Sequence, residues 1–134
     1  MDILKSNRER EFRQWFHINE DFTECQFVDA ENIRASGNGL HLNAQFLTSN
    51  DNTQEILIFN GSKKPYVGWR CTTYGTICPI YSISHLVKSE ECVMMTSFSL
   101  TGGEVDVAME FENNVLGIKG RINGKDIQLD EQIG

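Results

Sequence analysis

The chain is 134 residues long, carries a formal net charge of −7 and is 40% hydrophobic. That length is one domain's worth and can bury a self-sufficient core without metals or disulfides. The acidic balance argues against nucleic acid, because phosphate binding needs a basic surface, and no apolar run approaches the roughly 18 residues of a membrane span.

The first ten residues, MDILKSNRER, are charged where an export signal would be apolar, so no signal peptide is expected. Residues 1–11 are expected to be an N-terminal extension or linker, and 12–134 a single β-sandwich domain. Arg8–Glu11 could be a frayed helical turn, and the first strand is expected over Phe12–Ile18. On it Phe12, Phe16 and Ile18 share one face, and Trp15 and His17 the other. Ile33 and Ala35 then face the alternating run Leu40, Leu42, Ala44 and Phe46 across the tight turn Gly37-Asn38-Gly39. Residues 48–53 are polar and read as a longer loop. Ile56–Phe59 is continuously apolar, which predicts a strand covered on both faces. Asn60-Gly61-Ser62 ends it, and is at once a turn and a formal N-glycosylation triplet.

Gly68-Trp69, Tyr74-Gly75 and Pro79 then predict a corner between strands. Ile80–Val87 and Cys92–Leu100 are expected to be a strand pair separated by Lys88-Ser89-Glu90-Glu91. Val105, Val107, Met109 and Phe111 open a three-strand meander. Asn113-Asn114 breaks its first strand, and Asn123-Gly124 supplies a two-residue hairpin turn before Ile127 and Leu129. The period is two throughout, and turn signals recur roughly every 8–12 residues. The fold class expected is all-β: an antiparallel sandwich of about ten short strands, jelly-roll or supersandwich-like.

No nucleophile elbow, zinc-protease helix motif or phosphate loop is present, and the scattered carboxylates select no pair, so no catalytic residue is expected. Cys25, Cys71, Cys78 and Cys92 form no close Cys-x-x-Cys pair, so neither a metal nor a cofactor is expected. Cys71 and Cys78 could face one another across a hairpin, or all four could be reduced thiols. His85 alternates with apolar residues and reads as a hydrogen-bonded interior histidine. Five residues are candidates for sugar contact. Trp15 with His17 could form a stacking platform, an interface or part of a covered face. Trp69 and Tyr74, with Tyr66, could cluster around Arg70, whose guanidinium suits a uronic carboxylate. The competing reading makes Trp69 the filling of a tight corner.

Two segments carry a family resemblance. Arg13–Ile18, RQWFHI, is similar to a strand with an aromatic followed by histidine in the C-terminal β-domain of heparinase II/III-like polysaccharide lyases. The pattern GW-x4-YG-x3-P at Gly68–Pro79, followed by alternating strands, resembles the same domain. With the meander, the similarity runs from about residue 12 onward. Arg70-Cys71-Thr72-Thr73 departs from it, since the family more often has Ser or Pro and a basic residue before Tyr-Gly. The resemblance implies a parent in which an α/α-toroid domain precedes this sandwich. It also implies an acidic, uronate-containing polysaccharide as substrate and cleavage by β-elimination, in a secreted or periplasmic setting. In the family a base takes the C5 proton, a neutralised carboxylate stabilises the carbanion and an acid protonates the leaving oxygen. Those groups lie in the toroid and in an upstream β-domain segment, so none transfers to a residue of this chain, which is expected to be structural. The alternatives are a stand-alone carbohydrate-binding module and a small-ligand β-barrel. The barrel would need a helical lid that the sequence does not show.

Overall fold

The computed structural model describes residues 1–49 and 54–133. Among them are thirteen strands and no helix. They are β1 (Asp2–His17), β2 (Glu24–Phe27), β3 (Asn32–Gly37), β4 (Leu40–Thr48), β5 (Gln54–Asn60), β6 (Ser62–Lys63) and β7 (Tyr66–Val67). Then follow β8 (Trp69–Thr73), β9 (Thr76–Pro79), β10 (Tyr81–Ser99), β11 (Val105–Glu112), β12 (Val115–Ile122) and β13 (Lys125–Gln132). The fold is all-β and sandwich-like, built from several antiparallel sheets, the largest curled into a half-barrel. Of the loop expected over 48–53, residues 50–53 lie outside the described residues.

The main sheet has the order β1-β10-β4-β3-β2, with β5 beside the first half of β10. Strand β10 is 19 residues long. Its first half lies between β5 and the end of β1, with Phe12 opposite Val87 and His17 opposite Ser82. Its second half lies between β4 and the start of β1, with Asp2 opposite Met94. The β1–β10 ribbon slips register between Lys5 and Arg10 and folds over there. Two layers therefore face each other. Phe16, Ile56, Ile58 and Ile83 of one meet Ile33, Ala35, Leu42, Ala44 and Phe46 of the other. Phe16 packs edge-on to both Phe46 and Phe98, at 5.6 and 5.4 Å between ring centroids.

Two expectations are corrected here. Ile80–Val87 and Cys92–Leu100 are not two paired strands but the two arms of one bent strand. Lys88-Ser89-Glu90-Glu91 is polar because it forms the exposed bend, where Ser89 Oγ donates to Glu91 O at 2.7 Å. A turn and an exposed bend ask for the same residues. Likewise, segment 1–11 is not an extension or linker but most of β1, which begins at Asp2 rather than Phe12. Its charges suit an edge strand, where they discourage pairing with another chain. Lys88 Nζ meets Glu11 Oε1 at 3.1 Å and Lys5 Nζ meets Glu91 Oε1 at 3.3 Å, both pairs exposed.

The meander β11-β12-β13 is a third layer, laid on the opposite face of β4 and β10. Val107, Leu116 and Ile118 pack on Val93 and Met95, with Leu47 at the margin. Buried Gln45 accepts a hydrogen bond from Val107 N–H at 2.8 Å and ties the layers together. Its turns are as the sequence predicts. Asn113 and Asn114 have φ of 52° and 61°, and Asn123 and Gly124 of 52° and 74°, the left-handed pair that a two-residue hairpin requires.

His85 is the interior histidine expected from the alternation. It is fully buried, edge-on to Phe46 at 5.4 Å, with Nε2 bonded to Gln54 Oε1 at 2.8 Å and Nδ1 unpartnered among the described residues. Burial pushes its imidazole from the ordinary 6.5 down to about 4. The unfolded chain therefore binds a proton between these values that the folded chain refuses. The stabilising contribution is complete above pH 6.5 and is lost as pH falls towards 4, by roughly 3 kcal/mol. Urea unfolding across that window should show the slope. A His85→Met variant should show less of it, and an unchanged slope in the variant would place its origin elsewhere.

Candidate functional site

The end of β1 presents Arg13, Trp15 and His17 on its outward face, because Phe16 and Ile18 take the inward one. Pairing sets Trp15 opposite Ser84 and His17 opposite Ser82 on β10, and Phe59 and Leu57 of β5 lie opposite those same serines on the other side. Both serines are fully buried beneath these larger side chains. Their hydroxyls hold the exposed groups: Arg13 Nη1 donates to Ser84 Oγ at 2.7 Å, and His17 Nδ1 lies 2.7 Å from Ser82 Oγ. The Trp15 and His17 rings are nearly parallel, at 8° and 6.5 Å between centroids. The Arg13 guanidinium carbon sits 5.7 Å from the centre of the Trp15 ring, within cation–π range. Phe59 leans on Trp15 at 5.8 Å. Trp15 is still 40% exposed.

No layer covers this face among the described residues, which corrects the expectation for β5. Ile56 and Ile58 point into the core, whereas Leu57 is exposed and Phe59 half-buried on the outside. The continuous apolar run reflects an apolar outer surface, not a second covering sheet. Beside the strand, a crevice of about 360 Å³ opens between Trp15, Phe16, His17, Phe22, Leu42 and Phe98.

The Gly/aromatic/Pro segment forms the corner expected of it, at the same end of the molecule. Gly68 lies at the crossing point. Its carbonyl accepts from both Gly61 N–H at 3.0 Å and Ile80 N–H at 2.8 Å, and its φ is +78°. Trp69 is half-buried over Gly61 and donates through Nε1 to Ser62 O at 2.8 Å. Tyr66 stacks on it at 5.8 Å and 15° while remaining 68% exposed. Strands β8 and β9 then run out as a hairpin with Tyr74 and Gly75 at its tip. The expected grouping of Tyr66, Trp69 and Tyr74 around Arg70 is thus only partly met. Tyr66 and Trp69 meet, Arg70 turns to Glu20 in an ion pair, and Tyr74 stands alone in solvent. The hairpin's length separates its base from its tip.

Four further residues belong to this end and were not singled out in the sequence: Arg13, Glu20, Ser82 and Ser84. Arg13 had a local signal, since it shares parity with Trp15 and His17. The serines and Glu20 had none, because cross-strand register brings them here.

The hairpin register also decides the cysteine question. Cys71 lies opposite Ile77 and Cys78 opposite Arg70, so the two thiols project from opposite faces and cannot bridge without rearrangement. All four cysteines are free. Mild oxidation followed by peptide mass mapping should leave Cys71 and Cys78 unlinked within the chain; an internal Cys71–Cys78 bridge would refute this register. Burial raises the Cys25 thiol to about 11, which makes it a poor nucleophile at neutral pH.

Among the described residues no group of three or more His, Cys, Asp or Glu side chains could hold a metal ion. Asp29 is held below the ordinary carboxylate range, first by the backbone N–H of Glu31 and then by the Asn32 side chain. That carboxyl is a turn cap. The class defined by fold and site is therefore an all-β, sandwich-like protein with an Arg/Trp/His strand face and an aromatic corner at one end. No family model matches the chain, and neither curated proteins nor solved structures give a match.

Proposed function

We propose that this chain is the C-terminal β-sandwich part of a heparinase II/III-like lyase that cleaves uronate-containing polysaccharides by β-elimination. Its own role is structural and substrate-facing, and the catalytic groups belong to an upstream α/α-toroid domain. One observation carries the reading. The two segments similar to that family, Arg13–Ile18 and Gly68–Pro79, are far apart in sequence but form one end of the molecule. Ile18 N–H donates to Tyr81 O at 2.9 Å, Ile80 N–H donates to Gly68 O at 2.8 Å, and Arg70 pairs with Glu20 just beyond β1. These bonds join each segment to the immediate chain neighbours of the other, which supports reading the two as parts of one end of the domain.

The test has two arms. The reading frame upstream of Met1 should encode a helical domain of a few hundred residues, and the joined protein should release unsaturated uronate products from at least one of alginate, heparan sulfate or polygalacturonate. The present chain alone should release none. Elimination by the isolated chain, or an upstream frame without a helical domain, would overturn the proposal. In the latter case the second reading, a stand-alone carbohydrate-binding module, takes its place. It is favoured by the exposed outer face of Tyr66, already backed by Trp69.

A further inference from the structure

We infer that Arg13, Trp15 and His17 form a binding subsite for one anionic pyranose unit of a uronate chain. The inference deepens the reading above by naming the contact surface and the ligand it takes.

Three features of this face point to that chemistry. First, Trp15 offers a flat ring that is 40% exposed although Arg13, His17 and Phe59 all flank it. An indole face is suited to the C–H face of a sugar ring, whose hydrogens carry the partial positive charge that the ring quadrupole attracts. Second, Arg13 has no carboxylate partner among the described residues, in a chain of net charge −7. Ser84 takes one of its five N–H donors. The rest of the planar fork is free for a carboxylate, which it can grip through two parallel bonds. Third, His17 uses Nδ1 on Ser82 and leaves Nε2 for a ring hydroxyl.

The arrangement is preorganised. Ser82 and Ser84 are fully buried, and each fixes one of the two polar side chains through a 2.7 Å contact. Side chains already held in one rotamer lose less entropy when a ligand arrives. Arg13, Trp15 and His17 occur at every second residue of a straight strand segment, so the three contacts lie in a row. A linear polysaccharide lying along β1 would set one ring over Trp15, its carboxylate towards Arg13 and a hydroxyl towards His17. One arginine without a carboxylate partner among the described residues, held beside the Trp15 ring, lets an acidic domain accept a single carboxylate there while its net charge repels a dense polyanion.

The experiment is an NMR titration of the purified chain with a mannuronate hexamer, a galacturonate hexamer and, as control, a neutral glucan hexamer. The Trp15 indole N–H resonance should shift with at least one uronate, saturably and in the millimolar range, and should respond more weakly to the glucan. Trp15→Ala should weaken binding by about tenfold or more, equivalent to about 1.4 kcal/mol. Arg13→Gln should abolish the preference for uronate over glucan while leaving Trp15 able to respond. Both substitutions are at exposed positions, and circular dichroism checks that the fold persists. Silence of Trp15 with both uronates overturns the subsite and favours a protein surface as occupant of this face. Equal binding of glucan and uronate overturns the anionic part of the assignment. Neither result bears on the upstream reading frame, so the subsite and the lyase proposal fail separately.

Discussion

Truncating Phe46 to alanine is expected to cost about 3–5 kcal/mol, a large share of the roughly 5–15 kcal/mol that holds a domain of this size together. Phe46 is the largest fully buried side chain, and it stands where the two main layers meet. Phe16 packs against it from β1 and His85 from β10. Its removal would leave a void lined by rings and branched side chains anchored in three different strands. Such a site collapses poorly, so both the transfer and the cavity contributions apply. Chemical denaturation should show a lower midpoint with little change in slope. The mutant should also shift the His85 window, since a cavity beside the imidazole admits water and relieves its desolvation. A loss below about 1 kcal/mol would mean that the layers do not meet at this residue.

Gly68→Ala is the second large effect, and Gly75→Ala is its internal control. The two glycines have nearly identical backbones, with φ of +78° and +77°. Alanine in the left-handed region costs about 1 kcal/mol at either position. The surroundings differ. A Cβ on Gly68 would lie 2.8 Å from Ile80 O and 2.9 Å from Gly61 N, whereas one on Gly75 meets nothing within 4 Å. Both neighbours are backbone atoms of residues whose N–H groups, Gly61 and Ile80, donate to Gly68 O and hold the corner, so neither can yield cheaply. Overpacking of this kind adds about 1–3 kcal/mol. Gly68→Ala should therefore lose about 2–4 kcal/mol and Gly75→Ala about 1 kcal/mol. Equal losses measured by urea unfolding would show that the corner yields to a Cβ at Gly68.

These two positions also show how unevenly the fold can be read from its residues. The Gly68 corner is announced locally, since a glycine before a tryptophan, a Tyr-Gly tip and a proline mark a chain reversal whatever surrounds them. The same holds for Asn38-Gly39, Asn113-Asn114 and Asn123-Gly124, all with positive φ. Phe46 is different. Alternation puts it on one face of β4 with Leu42 and Ala44, but nothing nearby says that this face meets Phe16 and His85. The polar stretch Lys88–Glu91 shows the limit most sharply. Hydrophilic residues between two apolar runs suit a hairpin turn and a solvent-facing bend equally, and long-range pairing with β1 selects the bend. The charged residues before Phe12 lack the apolar alternation of a buried strand because their strand lies at a sheet edge.

The candidate site divides in the same way. Trp15 and His17 are placed on one shared face by parity alone, and the corner around Trp69 by its glycines; that the Trp15 face is uncovered is a tertiary fact. The sequence by itself thus determined an all-β chain, its turns, its meander and which rings share a strand face, since these follow from dihedral preferences and a period of two. Only the tertiary structure decided that β10 is one bent strand, that Ser82 and Ser84 lie under His17 and Trp15, that Arg70 belongs to Glu20 and that Tyr74 stands apart. Those facts depend on which distant strands pair and in what register, and hydrogen bonds between strands carry no mark in the residues that flank them.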